Sequence, residues 1–183
     1  MELTVKPLLD SDALKDFWCG IKEMDLFIHE RLQYSVKHNF CKLFAVVTTK
    51  QEIVAMFALS FDSLKLDSDD KDDLLNEYSN TSSPIIPTPY NETFWSKAHY
   101  PALEISYLAV AKQYQRKGIG RDIVEIIVDK AKNQDLAGCQ FITVEAYCTK
   151  EYSAVGFYIN CGFARSDVYP MFDTIRMYRN LLE

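Results

Sequence analysis

Between Glu104 and Arg121 the hydrophobic period of the chain changes from that of a strand to that of a helix. Ile105 to Val110 is a β-branched and aromatic run, the pattern of a strand buried on both faces. A basic turn with two glycines, Gln115 to Gly120, follows it. Ile119, Ile123, Ile126, Ile127 and Ala131 then recur at helical spacing and predict one apolar stripe. A strand, a tight glycine turn and a helix in succession restrict the chain to mixed α and β structure. Glycines let the backbone approach a ligand closely, and the first turn of a helix offers unpaired N–H groups with partial positive charge. Arg116, Lys117 and Arg121 add full charges at the same place. Together these features describe a cradle for a diphosphate. It is not a P-loop, which needs Gly-Lys-Ser/Thr where this chain has Gly120-Arg121-Asp122. Nor is it a dinucleotide fingerprint, because the third glycine position holds Ile123.

A second pattern lies about forty residues on: Ala154-x-x-Phe157-Tyr158-x-x-x-Gly162-Phe163. Ala154, Phe157, Tyr158 and Cys161 share one helical face, and Gly162 stands where such a helix would stop before another strand. With Gln115-x-x-Gly118-x-Gly120 placed after Leu108-Ala109-Val110, this order resembles the GNAT N-acetyltransferase superfamily over roughly Val46 to Phe163. The resemblance implies an α/β (α+β) domain with a mixed, mostly antiparallel sheet of six to seven strands, flanked by helices and splayed at the acyl-CoA site. It implies acetyl-CoA as co-substrate, with no metal. Leu108, Ala109, Val110, Gln115, Arg116, Lys117, Gly118, Ile119, Gly120 and Arg121 would face the cofactor, and Ala154 and Phe157 would lie beside its pantetheine arm.

Acetyl transfer to an amine makes three chemical demands. The amine must be neutral, yet a lysine-type amine has a pKa of about 10.4 and is almost all protonated at pH 7. The developing oxyanion needs a backbone donor, which a bulge near Ala109–Val110 could supply. The leaving thiolate benefits from a proton donor. Tyr158 matches the superfamily's tyrosine acid, although a core tyrosine stacked on the sheet would leave the same pattern. Glu104 stands eleven residues before Gln115, the spacing of the catalytic glutamate in the histone-acetyltransferase branch, and is the candidate base. Burial beside a strand end would raise its pKa toward neutrality. A Glu paired with a nearby Lys or Arg is the plainer alternative. Glu145 and His99 are weaker candidates, and His29 and His38 are expected on helix surfaces.

The rest of the chain frames this site. Its 183 residues, 48% of them apolar, suit a single domain spanning 1–183. No apolar leader opens the sequence and no run approaches membrane-spanning length. Five cysteines without a Cys-x-x-Cys pair suit a reducing, cytoplasmic setting. Leu3 and Val5 suggest a first strand, and Asp10-Ser11-Asp12 an N-cap for a short helix. Met24, Phe27, Ile28, Leu32 and Val36 predict a helix over Lys22 to Val36. Leu43 to Thr48 and Ile53 to Phe61 predict a hairpin turning at Lys50-Gln51, and further strands are expected at Phe141 to Tyr147 and Thr174 to Leu181. Residues 62–100 form an acidic, Pro-rich insertion, read either as solvated surface, with room for a short helix near Asp72 to Tyr78, or as a lid over the acceptor. Seven acids against two lysines between 62 and 80 carry most of the net charge of −6.

Phe17-x-Cys19-Gly20 followed by Asp25-x-Phe27-Ile28 resembles the leading segment of a GNAT branch whose members are toxins of toxin–antitoxin pairs acetylating aminoacyl-tRNA. Those side chains are equally suited to packing two helices against the sheet. The acidity and Glu104 weigh against that branch. The preferred function is therefore N-acetylation of a primary amine on a small molecule or peptide, with nucleic acid as a partner only under the toxin alternative. A non-catalytic acyl-CoA sensor is a third reading, and no membrane partner is expected. A homodimer is compatible with the sequence.

Overall fold

The computed structural model describes residues 2–79, 88–166 and 173–181. Seven strands form one sheet in the order β1-β2-β3-β4-β5-β7-β6: β1 Leu3–Leu8, β2 Lys42–Thr48, β3 Ile53–Leu64, β4 Tyr100–Val110, β5 Phe141–Tyr147, β6 Ala164–Arg165 and β7 Thr174–Asn180. The helices are α1 Lys22–Glu30, α2 Leu32–Lys37, α3 Ser68–Ser79, α4 Thr88–Ser96, α5 Ile119–Asn133 and α6 Val155–Ile159. This is the mixed, mostly antiparallel α/β sheet flanked by helices that the sequence led us to expect. The loop expected to face an acceptor at Val168 to Asp173 lies, but for its last residue, outside the described residues. By contacts the chain divides into two compact units, Met1–Phe61 with Glu104–Asp129, and Asp62–Leu103 with Lys130–Glu183.

In the first unit β1, β2 and β3 run antiparallel in sequence order. The hairpin turn is one residue longer than expected. Gln51 N–H donates to the Thr48 carbonyl at 2.9 Å and Gln51 takes φ +64°, so Thr49-Lys50-Gln51 form a three-residue loop closed by a left-handed residue. A bulge at Val46/Val47 shifts the register nearby. Leu14, Phe17, Cys19, Ile28, Leu32, Leu43, Met56 and Ala109 share one core, each large aliphatic or aromatic side chain contributing roughly 1.5–3 kcal/mol by burial. The expected helix over Lys22 to Val36 breaks at Arg31, whose φ of −119° interrupts the helical path. Ser11 makes no side-chain cap; Asp10 Oδ1 accepts from Asp12 N–H at 3.1 Å instead.

In the second unit β7 pairs antiparallel with both β5 and β6. The acidic stretch contains two helices, one of them over the place where a short helix was expected. β3 continues to Leu64, α3 and α4 follow, and Leu64, Leu66, Leu74, Phe94 and Tyr100 pack with Phe141 and Tyr178 in one core. Tyr100 O–H donates to the Phe94 carbonyl at 2.5 Å, so its buried hydroxyl is satisfied. Asp62 bonds Arg176 and Thr143, and Arg176 Nη1 reaches Glu145 Oε1 at 3.2 Å. Among the described residues no helix is long and apolar enough to cross a membrane.

Candidate active site

β4 ends at Val110 and delivers the chain into a short 3₁₀ turn, Lys112–Tyr114, before the basic loop. Gln115, Arg116, Lys117 and Gly118 are all exposed. Arg116 has φ +61° and Gly118 φ +84°, so two of three successive residues are left-handed. For arginine that conformation costs free energy, the kind of strain that collects at binding sites. A Cβ on Gly118 would meet nothing within 4 Å, so the backbone there faces open space. α5 starts where Asp122 N–H donates to the Gly118 carbonyl at 3.1 Å. The consequence is a row of unspent donors. The N–H groups of Arg116, Lys117, Gly118, Ile119 and Gly120 donate to no acceptor among the described residues. Lys117 Nζ lies 5.0 Å from the centre of the Tyr114 ring, which holds its charge beside the turn. Five unspent amides, a helix N-terminus and basic side chains fit a diphosphate.

Gln115, expected among the cofactor-facing residues, has another task. Its Nε2 donates to the Cys19 carbonyl at 2.7 Å and to the Val110 carbonyl at 3.0 Å. It therefore pins the base of the turn to the end of β4. On α5 the apolar stripe also departs from expectation: Ile126 is at the exposed margin, and Val124 and Val128 are buried beside Ile119, Ile123, Ile127 and Ala131. Of β4, Ala102, Ile105 and Ala109 are buried, while Glu104, Leu108 and Val110 are half-buried rather than enclosed on both faces.

Glu104 is held by two hydroxyls, Ser60 from β3 and Ser106 from its own strand, β4. Ser60 Oγ donates to its Oε2 at 2.9 Å and Ser106 Oγ to the same oxygen at 3.3 Å, with the two hydroxyls 2.8 Å apart. The carboxylate's charge reaches further. Burial, and then Glu104, push the Cys41 thiol up; burial, Cys41 and Glu104 do the same to the Tyr107 phenol. Tyr107 is stacked on Phe27, ring centres 4.2 Å apart. Glu104 thus lies among hydroxyl, thiol and phenol groups in the same unit as the basic turn.

Ala154, Phe157 and Tyr158 belong to the second unit. α6 is shorter than the face predicted, with Ala154 as its N-terminal flank. Its end is a Schellman motif: Gly162 N–H donates to Ile159 O at 3.0 Å, Phe163 N–H to Tyr158 O at 3.0 Å, and Gly162 has φ +80°. The motif's hydrophobic contact is Phe163 against Tyr158, ring centres 5.3 Å apart. Tyr158 is buried, and desolvation, with smaller contributions from Tyr152 and Cys161, raises its phenol well above the usual range. It stays protonated at any physiological pH. Glu145, an alternative base, is bonded to Thr174 at 3.1 Å and paired with Arg176, and His99 is exposed. His29 is not a plain surface residue, since its Nε2 lies 2.8 Å from the Phe17 carbonyl.

Sequence reasoning missed three participants. Ser60 and Ser106 fix Glu104, and buried Asp25, taken for a packing residue, accepts hydrogen bonds from Cys19 and Gly20. Only Asp25 carried a signal: an acid inside an otherwise apolar helical face. Among the described residues there is no group of three or more His, Cys, Asp or Glu able to hold a metal.

Residues 88–165, which contain β4, the basic turn, α5, β5 and α6, match the model of the acetyltransferase (GNAT) domain. Comparison with curated proteins found no match. Among solved structures, the AtaTR complex bound with acetyl-CoA is similar at 19% identity and TM-score 0.67, over 98% of this chain and 94% of that one. AtaT complexed with acetyl-methionyl-tRNAfMet is similar at 18% identity and TM-score 0.65, over 96% and 94%. A mutant AtaT toxin bound to the C-terminus of the antitoxin AtaR gives 16% identity and TM-score 0.66, over 99% and 93%. The shared fold thus runs along nearly the whole chain, and within it residues 88–165, from α4 to β6, are similar to the acetyltransferase (GNAT) domain.

Proposed function

We propose that this protein transfers an acetyl group from acetyl-CoA to a primary amine, which attacks the thioester directly. The observation that carries this reading is the row of five unspent amides at Arg116–Gly120, which suits the cofactor's diphosphate. Acetyl-CoA supplies an activated acyl carbonyl. The chain's own residues hold it and manage protons. Arg116, Lys117 and Arg121 add charge to the cradle, and the backbone of Leu108–Val110 borders the acyl end. The resemblance to the superfamily would put Ala154 and Phe157 beside the pantetheine arm. Glu104 takes a proton from the incoming ammonium, its carboxylate steadied by Ser60 and Ser106. Tyr158, kept as a phenol by burial, gives a proton to the departing thiolate. Five free thiols support a reducing, cytoplasmic setting.

A second reading places the amine on an aminoacyl-tRNA. Its support is the segment Phe17–Gly20, similar to that of the toxin branch and hydrogen-bonded to the cofactor turn through Gln115 and Lys112, together with the fold shared with AtaT. The net charge of −6 weighs against an RNA partner. The two acceptors also differ in their need for a base. A lysine-type amine at pH 7 is neutral in fewer than about one molecule in a thousand, an α-amine in roughly one in ten.

Thiol release from acetyl-CoA, measured against polyamines, amino acids, basic peptides and charged tRNA, tests the proposal. Release with free amines is expected, and for Glu104→Gln a rate that falls and loses the acidic limb of the parent's pH profile. Release with charged tRNA alone would replace the first reading by the second. Coenzyme A binding without release to any acceptor would leave a non-catalytic sensor.

A further inference from the structure

The Phe17–Gly20 segment is the part of the molecule that the proposed chemistry leaves unused, yet it is bonded to the phosphate turn more closely than packing requires. Asp25 on α1 is 5% exposed. Its two carboxylate oxygens accept from two successive backbone amides, Cys19 N–H at 2.8 Å and Gly20 N–H at 2.9 Å. A buried carboxylate in an apolar core costs free energy unless fully hydrogen-bonded, so this pair of bonds has to form for the segment to fold. Gly20 is at φ +84°, which turns the chain sharply there. The turn aims two carbonyls the opposite way. Trp18 O accepts from Lys112 N–H at 3.0 Å, and Cys19 O accepts from Gln115 Nε2 at 2.7 Å. Gln115 Nε2 also bonds Val110 O, so both ends of the 3₁₀ turn that leads into the cradle are fixed from one place. A Cβ on Gly20 would stand 3.1 Å from Cδ of the exposed Lys112 side chain, which would have to shift by a few tenths of an ångström.

We propose that Asp25 is a positioning residue for the diphosphate cradle, setting the path of residues 111–121 through the Cys19 and Trp18 carbonyls. The proposal rests on the reading of Arg116–Gly120 as the diphosphate site. Asp25 touches no substrate. It determines where the five amides point before the ligand arrives, and preorganised donors bind more tightly than donors that must be ordered on binding.

The test measures coenzyme A affinity by calorimetry and amide hydrogen exchange in the ligand-free protein, for the parent, Asp25→Asn, Gly20→Ala and Gly118→Ala. Asp25→Asn keeps the shape and one acceptor but presents an NH₂ to the other amide. Coenzyme A should bind about tenfold more weakly to Asp25→Asn and Gly20→Ala. Exchange should rise in 111–121 while β2 keeps the parent's protection. Gly20→Ala strains the same turn without altering the buried acid, so it carries the test if Asp25→Asn does not fold. Unchanged affinity in a folded Asp25→Asn, or exchange rising equally in β2 and 111–121, overturns the proposal: Asp25 would then be a plain core residue. If Gly118→Ala binds coenzyme A as well as the parent does, the diphosphate site itself is wrongly placed, and the proposal falls for that separate reason.

Discussion

At the scale of single residues, the candidate acid and base are prepared in opposite ways. Glu104 is half-buried and receives two hydroxyl hydrogen bonds on one oxygen, which fix its direction. Tyr158 is enclosed by Phe157 and Phe163, and desolvation holds its proton in place. A phenol that never ionises cannot act as a base, but it can donate to a thiolate formed beside it. Tyr158→Phe removes one oxygen and keeps the ring that closes the Schellman motif. Folding and coenzyme A affinity should therefore match the parent, and thiol release should fall by about 10²-fold. A Tyr158→Phe enzyme with the parent's turnover would confine Tyr158 to packing.

At the scale of elements, α6 depends on how it ends. Gly162 occupies φ +80° and its Cβ position lies 3.6 Å from Arg179 Nε, an ordinary contact. Space is therefore not the constraint at Gly162; the backbone is. Gly162→Ala should cost about 1 kcal/mol through the left-handed conformation alone, lowering the melting temperature by about 2–4 °C in a chain of this size. No change in melting temperature would mean that the cap contributes nothing to stability. Elements of this kind were legible in the sequence because their signals are local: a glycine after a helical face, a strand passing through two glycines into a stripe of isoleucines. Even there, neighbouring apolar residues blurred the stripe, and Val124 and Val128 took the buried place expected of Ile126. What could not be read was long-range. Ser60 reaches Glu104 across 44 residues of sequence and Gln115 reaches Cys19 across 96, and no period records such pairs. Residues 62–100 show the same limit. Their acids dominate the composition, while Leu64, Leu66, Leu74 and Phe94, four scattered apolar residues, decide the packing.

At the scale of the whole molecule, the groups buried in neutral form set a limit on the alkaline side. Desolvation raises the Cys19 thiol from 9.0 to about 12, offset in part by a backbone hydrogen bond at Ile21 and reinforced by Asp25. It raises Cys41 in the same direction, and the Tyr100 phenol from 10.0 to about 12. In the unfolded chain these groups ionise at their ordinary values. Above pH 9 the unfolded state has therefore released protons that the folded state retains, and the stability these groups contribute is complete below that pH and lost as it rises. Each fully linked thiol lowers the unfolding free energy by about 1.4 kcal/mol per pH unit. Cys19 alone, with a window from 9.0 to about 12, can thus remove several kcal/mol, against a typical total of about 5–15. Melting temperature should hold steady from pH 7 to 8.5 and fall steeply above 9. Cys19→Ala should flatten the fall while losing some stability at neutral pH to the smaller side chain. A parent and Cys19→Ala that decline in parallel between pH 9 and 11 would show that the thiol reaches water more readily than its 3% exposure implies.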